Sequence, residues 1–119
     1  MINQFALTVH KDPQQRFAVI HTDGYVNNLG GEKIGEAAQA LLDEGFRRVV
    51  INMAKSTVIN SIGISILIEV LERMQEVNGE LAFCCLTRTI AKTFTIMGLA
   101  QYAGMYESEA EAVNALLAG

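Results

Sequence analysis

Val58-Ile59-Asn60-Ser61-Ile62-Gly63-Ile64 joins a strongly apolar run to a long helical pattern. The run before it, Val49 to Met53, begins with three consecutive β-branched residues. Continuous apolar character of that kind suits an interior parallel strand covered on both faces. A short segment, Ala54 to Thr57, separates strand from helix. A strand that feeds a loop opening a helix is where open α/β sheets commonly place function. This junction offers a carboxamide, a hydroxyl and a glycine within four residues, at Asn60, Ser61 and Gly63.

The helix that follows is expected from about Ser61 to Val77. At about 100° per residue, Ile64, Leu67, Leu71, Met74 and Val77 form its central stripe. Glu69 and Arg73 stand at i,i+4 spacing, worth about 0.3 kcal/mol if paired. Ile62, Ile66, Val70 and Ile68 widen the apolar arc beyond what one packed face requires. Two readings fit. The helix is sandwiched between a sheet and a neighbouring helix, or Ile62 and Ile66, beside Ser61 and Ser65, belong to a partner surface.

Before the junction, Phe5 to His10 reads as a first strand and Arg16 to Thr22 as a second. Asp12-Pro13-Gln14-Gln15 turns the chain between them, and so short a connection implies an antiparallel hairpin. Asp23-Gly24 ends the second strand. From Leu29 to Glu44 the period becomes helical, with Ile34, Ala37, Ala38, Leu41 and Leu42 on one stripe. Gly45 stands where a left-handed cap belongs.

After the junction, Asn78-Gly79 closes the long helix and Leu81 to Leu86 is a strand apolar on both faces. Thr89 to Met97 forms a short helix with Ile90, Phe94 and Met97 on one side, closed by Gly98. Tyr102 to Tyr106 holds a brief edge strand. Ser108 and Glu111 make a capping box for a last helix, docked by Ala112, Val113, Leu116 and Leu117. The expectation is one α/β domain over residues 1–119. It has a mixed sheet of four to five strands, about four packed helices and right-handed crossovers.

Composition narrows the function. Of 119 residues, 50% are hydrophobic and 18% charged, enough for a real core and against disorder. The net charge of −4 argues against nucleic acid as the main partner, since duplex binding needs a basic surface. No run approaches the ~20 apolar residues that span a bilayer, so no direct membrane insertion is expected. Met1-Ile2-Asn3-Gln4 lacks the basic and apolar regions of a leader. Adjacent Cys84-Cys85 are poorly placed to bridge each other and read as buried free thiols of a reducing compartment. These features together predict a cytoplasmic protein.

Catalytic signatures are missing from the sequence. There is no Walker loop, and Gly24, Gly30, Gly31 and Gly35 do not give the dinucleotide-binding spacing. Ile59 stands where a nucleophile elbow needs glycine. His10 and His21 both fall in the N-terminal hairpin and read as unremarkable there. The cysteines are adjacent rather than spaced for metal, and no histidine pair has helical spacing. Enzymatic chemistry, a metal and a cofactor are therefore not expected. What remains is a polar helix start. Ser61 or Asn60 serves as an N-cap worth about 1 kcal/mol. Phosphate on Ser61 would also be tolerated there by free N–H groups and the helix dipole.

At this junction the chain resembles the STAS domain, the family of bacterial anti-sigma factor antagonists. Asn60-Ser61-Ile62-Gly63 occupies the family's D-S-x-G position at a helix start. Gly24-Tyr25-Val26-Asn27 falls where the family has a G-x-L-D turn. Asn78-Gly79-Glu80-Leu81 is similar to its glycine turn. Met97-Gly98-Leu99 and Tyr106 to Ala112 are similar to its T-G-L and x-S-x-x-E-A-L segments. The resemblance implies that Ser61 is phosphorylated by an anti-sigma factor that is itself a serine kinase, and dephosphorylated by a PP2C-type phosphatase. The unphosphorylated form would bind the anti-sigma factor and so regulate transcription indirectly. The implied binding surface is Asn27, Asn60, Ser61, Ile62, Gly63, Ser65 and Ile66, with Ser56 and Thr57 as neighbouring acceptors. Both characteristic aspartates are amides here, at Asn27 and Asn60, which keeps capping ability without the charge. That difference motivates an alternative: a phosphorylation-independent STAS scaffold in a signalling complex, or the cytoplasmic subunit of a lipid transporter. A small-molecule site at the same helix N-terminus is a third class. The broad apolar helix also permits a homodimer.

Overall fold

Pro13 and its neighbours turn the first strand back on itself, and every later strand returns parallel through a helix. The computed structural model describes residues 4–118, so the leader reading of Met1-Ile2-Asn3 lies outside the described residues. The elements in chain order are β1 (Ala6–Asp12), β2 (Phe17–Asp23), α1 (Asn28–Asp43), β3 (Arg48–Lys55) and α2 (Ser61–Glu76). Then come β4 (Glu80–Cys84), α3 (Arg88–Ile96), a 3₁₀ turn (Leu99–Gln101), β5 (Gly104–Tyr106) and α4 (Glu109–Ala118). The five strands lie in sequence order, with β1 antiparallel to β2 and all other neighbours parallel.

The uninterrupted apolar runs of β2, β3 and β4 divide between two cores because successive side chains alternate faces. Ala18, Ile20, Val49, Ile51, Leu81 and Phe83 meet α1, α2 and α3 on one face. Phe17, Val19, Val50, Ala82 and Cys84 meet Ala112 and Leu116 of α4 on the other. The larger core is centred on Phe83, whose ring packs edge-on against Phe94 at 5.1 Å between centroids. Ile34, Ala38, Leu41 and Leu42 dock α1, as their spacing predicts. Gly45 and Gly98 have the expected positive φ, and Asn78 takes the left-handed conformation that closes α2.

Four expectations are corrected. Val77 and Met97 are exposed, because both follow the last helical residue and leave the buried stripe. Glu69 and Arg73 form no ion pair; among the described residues the pairs are Lys11–Glu44 and His21–Glu109. The strand alternation stops at Cys84, so Cys85 turns to a positive φ and is only half-buried. Burial pushes the Cys84 thiol far up, which leaves it inert at neutral pH.

His21 is the fourth, since it is not an idle hairpin residue. It shares the α4 face with Val19 by strand alternation, and its Nε2 donates to Glu109 Oε1 at 2.6 Å. Asn52 Nδ2 donates to the same oxygen at 3.0 Å, and Asn52 Oδ1 accepts the Ala54 N–H at 2.9 Å. These contacts anchor the first residue of α4 to β2 and β3.

Two outcomes are expected. Phe83→Ala removes the ring at the centre of the larger core and lowers stability by about 3–5 kcal/mol, read from urea unfolding. The second concerns acid. Burial raises the Glu109 carboxyl, but the hydrogen bonds from Asn52 and His21 outweigh it and hold the group below its ordinary 4.5. A carboxyl depressed on folding contributes stability above its unfolded value and loses it as pH falls through the folded one. Glu109→Gln should lower the urea midpoint by a constant amount near neutrality and flatten its acid limb against pH below about 4.5.

Candidate functional site

The site is built where β2 and β3 release the chain into α1 and α2. The two strands do not separate at their ends. Gly24 N–H donates to Lys55 O at 2.9 Å, and Val26 N–H to Val58 O at 3.0 Å. Asn60 N–H donates to Val26 O at 3.2 Å, closing an isolated parallel bridge between Val26 and Ile59. The two loops therefore run side by side to the two helix starts.

Each helix begins on one of the two amides. Asn27 Oδ1 accepts the Gly30 N–H at 3.0 Å, and Asn60 Oδ1 accepts the Gly63 N–H at 2.8 Å. The choice between Asn60 and Ser61 as cap is thereby settled for Asn60. Ser61 is the first helical residue, exposed, with its hydroxyl outside the cap. Asn60 O also takes the Ile64 N–H at 3.0 Å. The N–H groups of Ser61 and Ile62 thus remain without helical acceptors, as at any helix start. Neither α1 nor α2 carries an acidic residue in its first turn, so neither positive pole is met by a carboxylate of its own helix start.

Gly63 is required by space. A Cβ there would collide with the Val26 carbonyl oxygen, the atom that receives Asn60 N–H. Farther along, α1 approaches α2 through Gly31, whose added Cβ would lie 2.9 Å from Ile66 Cδ1. Ile66 is accordingly half-buried against α1, whereas Ile62 stands 52% exposed. Ser65 is exposed but its hydroxyl is bound to Ile62 O at 2.7 Å.

Sequence reasoning missed three members of this surface. Tyr25, Leu29 and Val58 are 41%, 63% and 53% exposed, and all lie within two residues of a capping amide. With Ile62 they form four large apolar side chains at the two helix starts beside Ser61. The available signal was their position: Tyr25 and Val58 stand on the loops before the caps, and Leu29 in the first turn of α1 falls outside the stripe of Ile34, Ala38, Leu41 and Leu42. The neighbouring hydroxyls separate sharply. Ser56 is fully buried and hydrogen-bonded to Thr22 Oγ1 at 2.7 Å, while Thr57 is exposed. Ser61 has no base from the hairpin. His21 faces α4 across the sheet from α2 and is committed to Glu109.

Gly63→Ala should force the Val26 strand end and α2 apart. The expected cost is about 1–3 kcal/mol in urea unfolding, with amide NMR shifts concentrated at residues 24–30 and 58–66. A variant with wild-type stability and unshifted loops would refute this account of Gly63.

Comparison with known proteins gives the same placement. A family model described as STAS domain matches residues 8–112. BtrV of Bordetella bronchiseptica, named as an anti-sigma factor antagonist, is 32% identical over 75 residues. That match covers 63% of this chain and 65% of BtrV, so it spans just under two thirds of that relative. An anti-sigma factor antagonist from Mycobacterium paratuberculosis superposes with a TM-score of 0.81 at 16% identity, covering 95% of this chain and 94% of that one. The Bacillus cell fate determinant SpoIIAA in its phosphorylated form gives a TM-score of 0.72 at 19% identity, with coverage of 92% and 97%. With 105 of its residues under the family model and the five-stranded mixed sheet of these structures, the chain belongs to the STAS domain family.

Proposed function

We propose that residues 1–119 are one STAS domain acting in the cytoplasm as an anti-sigma factor antagonist. In this reading the Ser61 end binds an anti-sigma factor that is also a serine kinase. Phosphorylation of Ser61 ends the contact and a PP2C-type phosphatase restores it, so transcription is regulated indirectly. The names of BtrV and of the Mycobacterium protein support the partner class, and the phosphorylated form of SpoIIAA supports the chemistry. Among the described residues no helix is long and apolar enough to cross a membrane.

The observation that carries the reading is the position of Ser61. It is exposed, excused from capping by Asn60, and beside Tyr25, Leu29, Val58 and Ile62. Apolar side chains at a domain end supply docking energy when a partner covers them. A phosphate adds about −1.5 to −2 charges that a dry apolar contact cannot solvate. The same phosphate sits at the positive end of α2, so the domain stays folded while its surface changes. Regulation at this site is by recognition, and the domain is the substrate of the kinase.

The second reading, a constitutive STAS scaffold or transporter subunit, draws on the amides. Asn27 and Asn60 reproduce the capping geometry of aspartate without its charge, so the architecture persists even if a kinase needs the acid.

One experiment separates them. The chain is incubated with ATP and an anti-sigma factor kinase from the same genome, then read by intact mass, fragmentation and binding. The switch reading expects one phosphate on Ser61, none on buried Ser56, and none on Ser61→Ala, which still binds. Ser61→Asp should lose at least tenfold in affinity, about 1.4 kcal/mol. Binding without phosphate, equal for Ser61→Asp, transfers the assignment to the scaffold, and neither binding nor phosphate sinks the switch reading.

A further inference from the structure

The strand β1 forms one edge of the sheet, paired with β2 through seven consecutive positions and, among the described residues, with no strand beyond it. Such an edge presents a row of unpaired N–H and C=O groups, which proteins ordinarily blunt with proline, a bulge or charge. Here Pro13 falls after the strand, the β1–β2 register is unbroken, and the sheet's irregularity lies between β2 and β3 instead. The one lysine on the strand, Lys11, is drawn to Glu44 at 2.9 Å. At the centre, Val9 is an apolar, β-branched residue left 37% exposed. The helix that the sequence offered for self-association, α2, has its apolar arc beyond Ile62 largely covered by the sheet and α1 instead.

We propose that β1 is a self-association edge, pairing antiparallel with β1 of a second copy about a two-fold axis through Val9. The sequence of the strand is complementary to itself in that register. Residues directly opposite in an antiparallel pair share a face. On the α1 face Val9 meets the partner's Val9, and Leu7 meets the aliphatic stem of the partner's Lys11. On the α4 face Thr8 meets the partner's His10, and Ala6 meets the partner's Asp12. No like charges stand opposite each other, and two-fold symmetry makes each pairing twice. The β-branched pair on the axis is the type that favours strand pairing.

One strand buries far less than the roughly 800 Å² per partner of a standard interface. The dimer is therefore weak and concentration-dependent, suited to raising local copy number rather than to permanent assembly. Antiparallel pairing also turns the carboxyl ends of the two sheets in opposite directions. The two Ser61 surfaces then lie at opposite ends and stay accessible, which makes the dimer bivalent.

Sedimentation velocity on the whole chain, from micromolar to millimolar, tests the proposal independently of any partner or kinase. Wild type should shift from monomer towards dimer, and Val9→Lys, which sets two ammonium groups on the axis, should stay monomeric. Circular dichroism checks that Val9→Lys is folded. Should it fail to fold, cross-linking decides. Under mild oxidation Val9→Cys should trap a disulfide-linked dimer, and Thr8→Cys, which faces the partner's His10, should not. Wild type under the same oxidation reports any bridge through Cys85. A chain monomeric throughout, a dimer that survives Val9→Lys, or equal cross-linking at positions 8 and 9 would each overturn the proposal.

Discussion

The Val26 carbonyl oxygen occupies the space that a side chain on residue 63 would need, and the end of the domain that carries the candidate site depends on that contact. With glycine there, β2 and β3 stay joined beyond their last regular pair, Asp23 with Lys55, through the bridge between Val26 and Ile59. The same oxygen accepts Asn60 N–H, so the close approach and the start of α2 are one arrangement. Glycine inside a helix costs up to about 1 kcal/mol relative to alanine. Here that cost is offset by two helix starts held side by side, each capped by an amide. Without the approach, Asn27 and Asn60 would still cap their helices, but Tyr25, Leu29, Val58 and Ile62 would not share one surface.

Burial then sorts the hydroxyls around that surface. Ser56 lies just past the end of β3, is enclosed, and is satisfied by Thr22. Ser61 emerges one residue past its cap and has no structural duty. Two serines five residues apart therefore have opposite accessibility. The neutral caps act in the same direction, since they hold the helix starts without adding negative charge to the positive poles of α1 and α2.

The opposite face has a different logic. There α4 is short, with only Ala112 and Leu116 fully buried, and its first residue is held by His21 and Asn52 through Glu109. That latch stabilises a marginal helix at its weakest point, where free N–H groups also favour a carboxylate. It was not legible in the sequence because its members are 88 and 57 positions apart, and only the strand order and the docking of α4 bring them together.

The sequence by itself determined the fold class, the order and approximate bounds of the strands and α-helices, and the end caps at Gly45, Asn78 and Gly98. Those are local properties: period, turn chemistry and cap residues act over a few positions, so they can be read in one dimension. Tertiary structure alone decided which residue caps α2, which serine is reachable, and which apolar residues are surface. Ile66 and Ile62 have the same side chain four residues apart, yet Gly31 lets α1 cover the first and leaves the second in solvent. That difference is a matter of how closely two helices approach, and periodicity carries no information about a neighbour's distance.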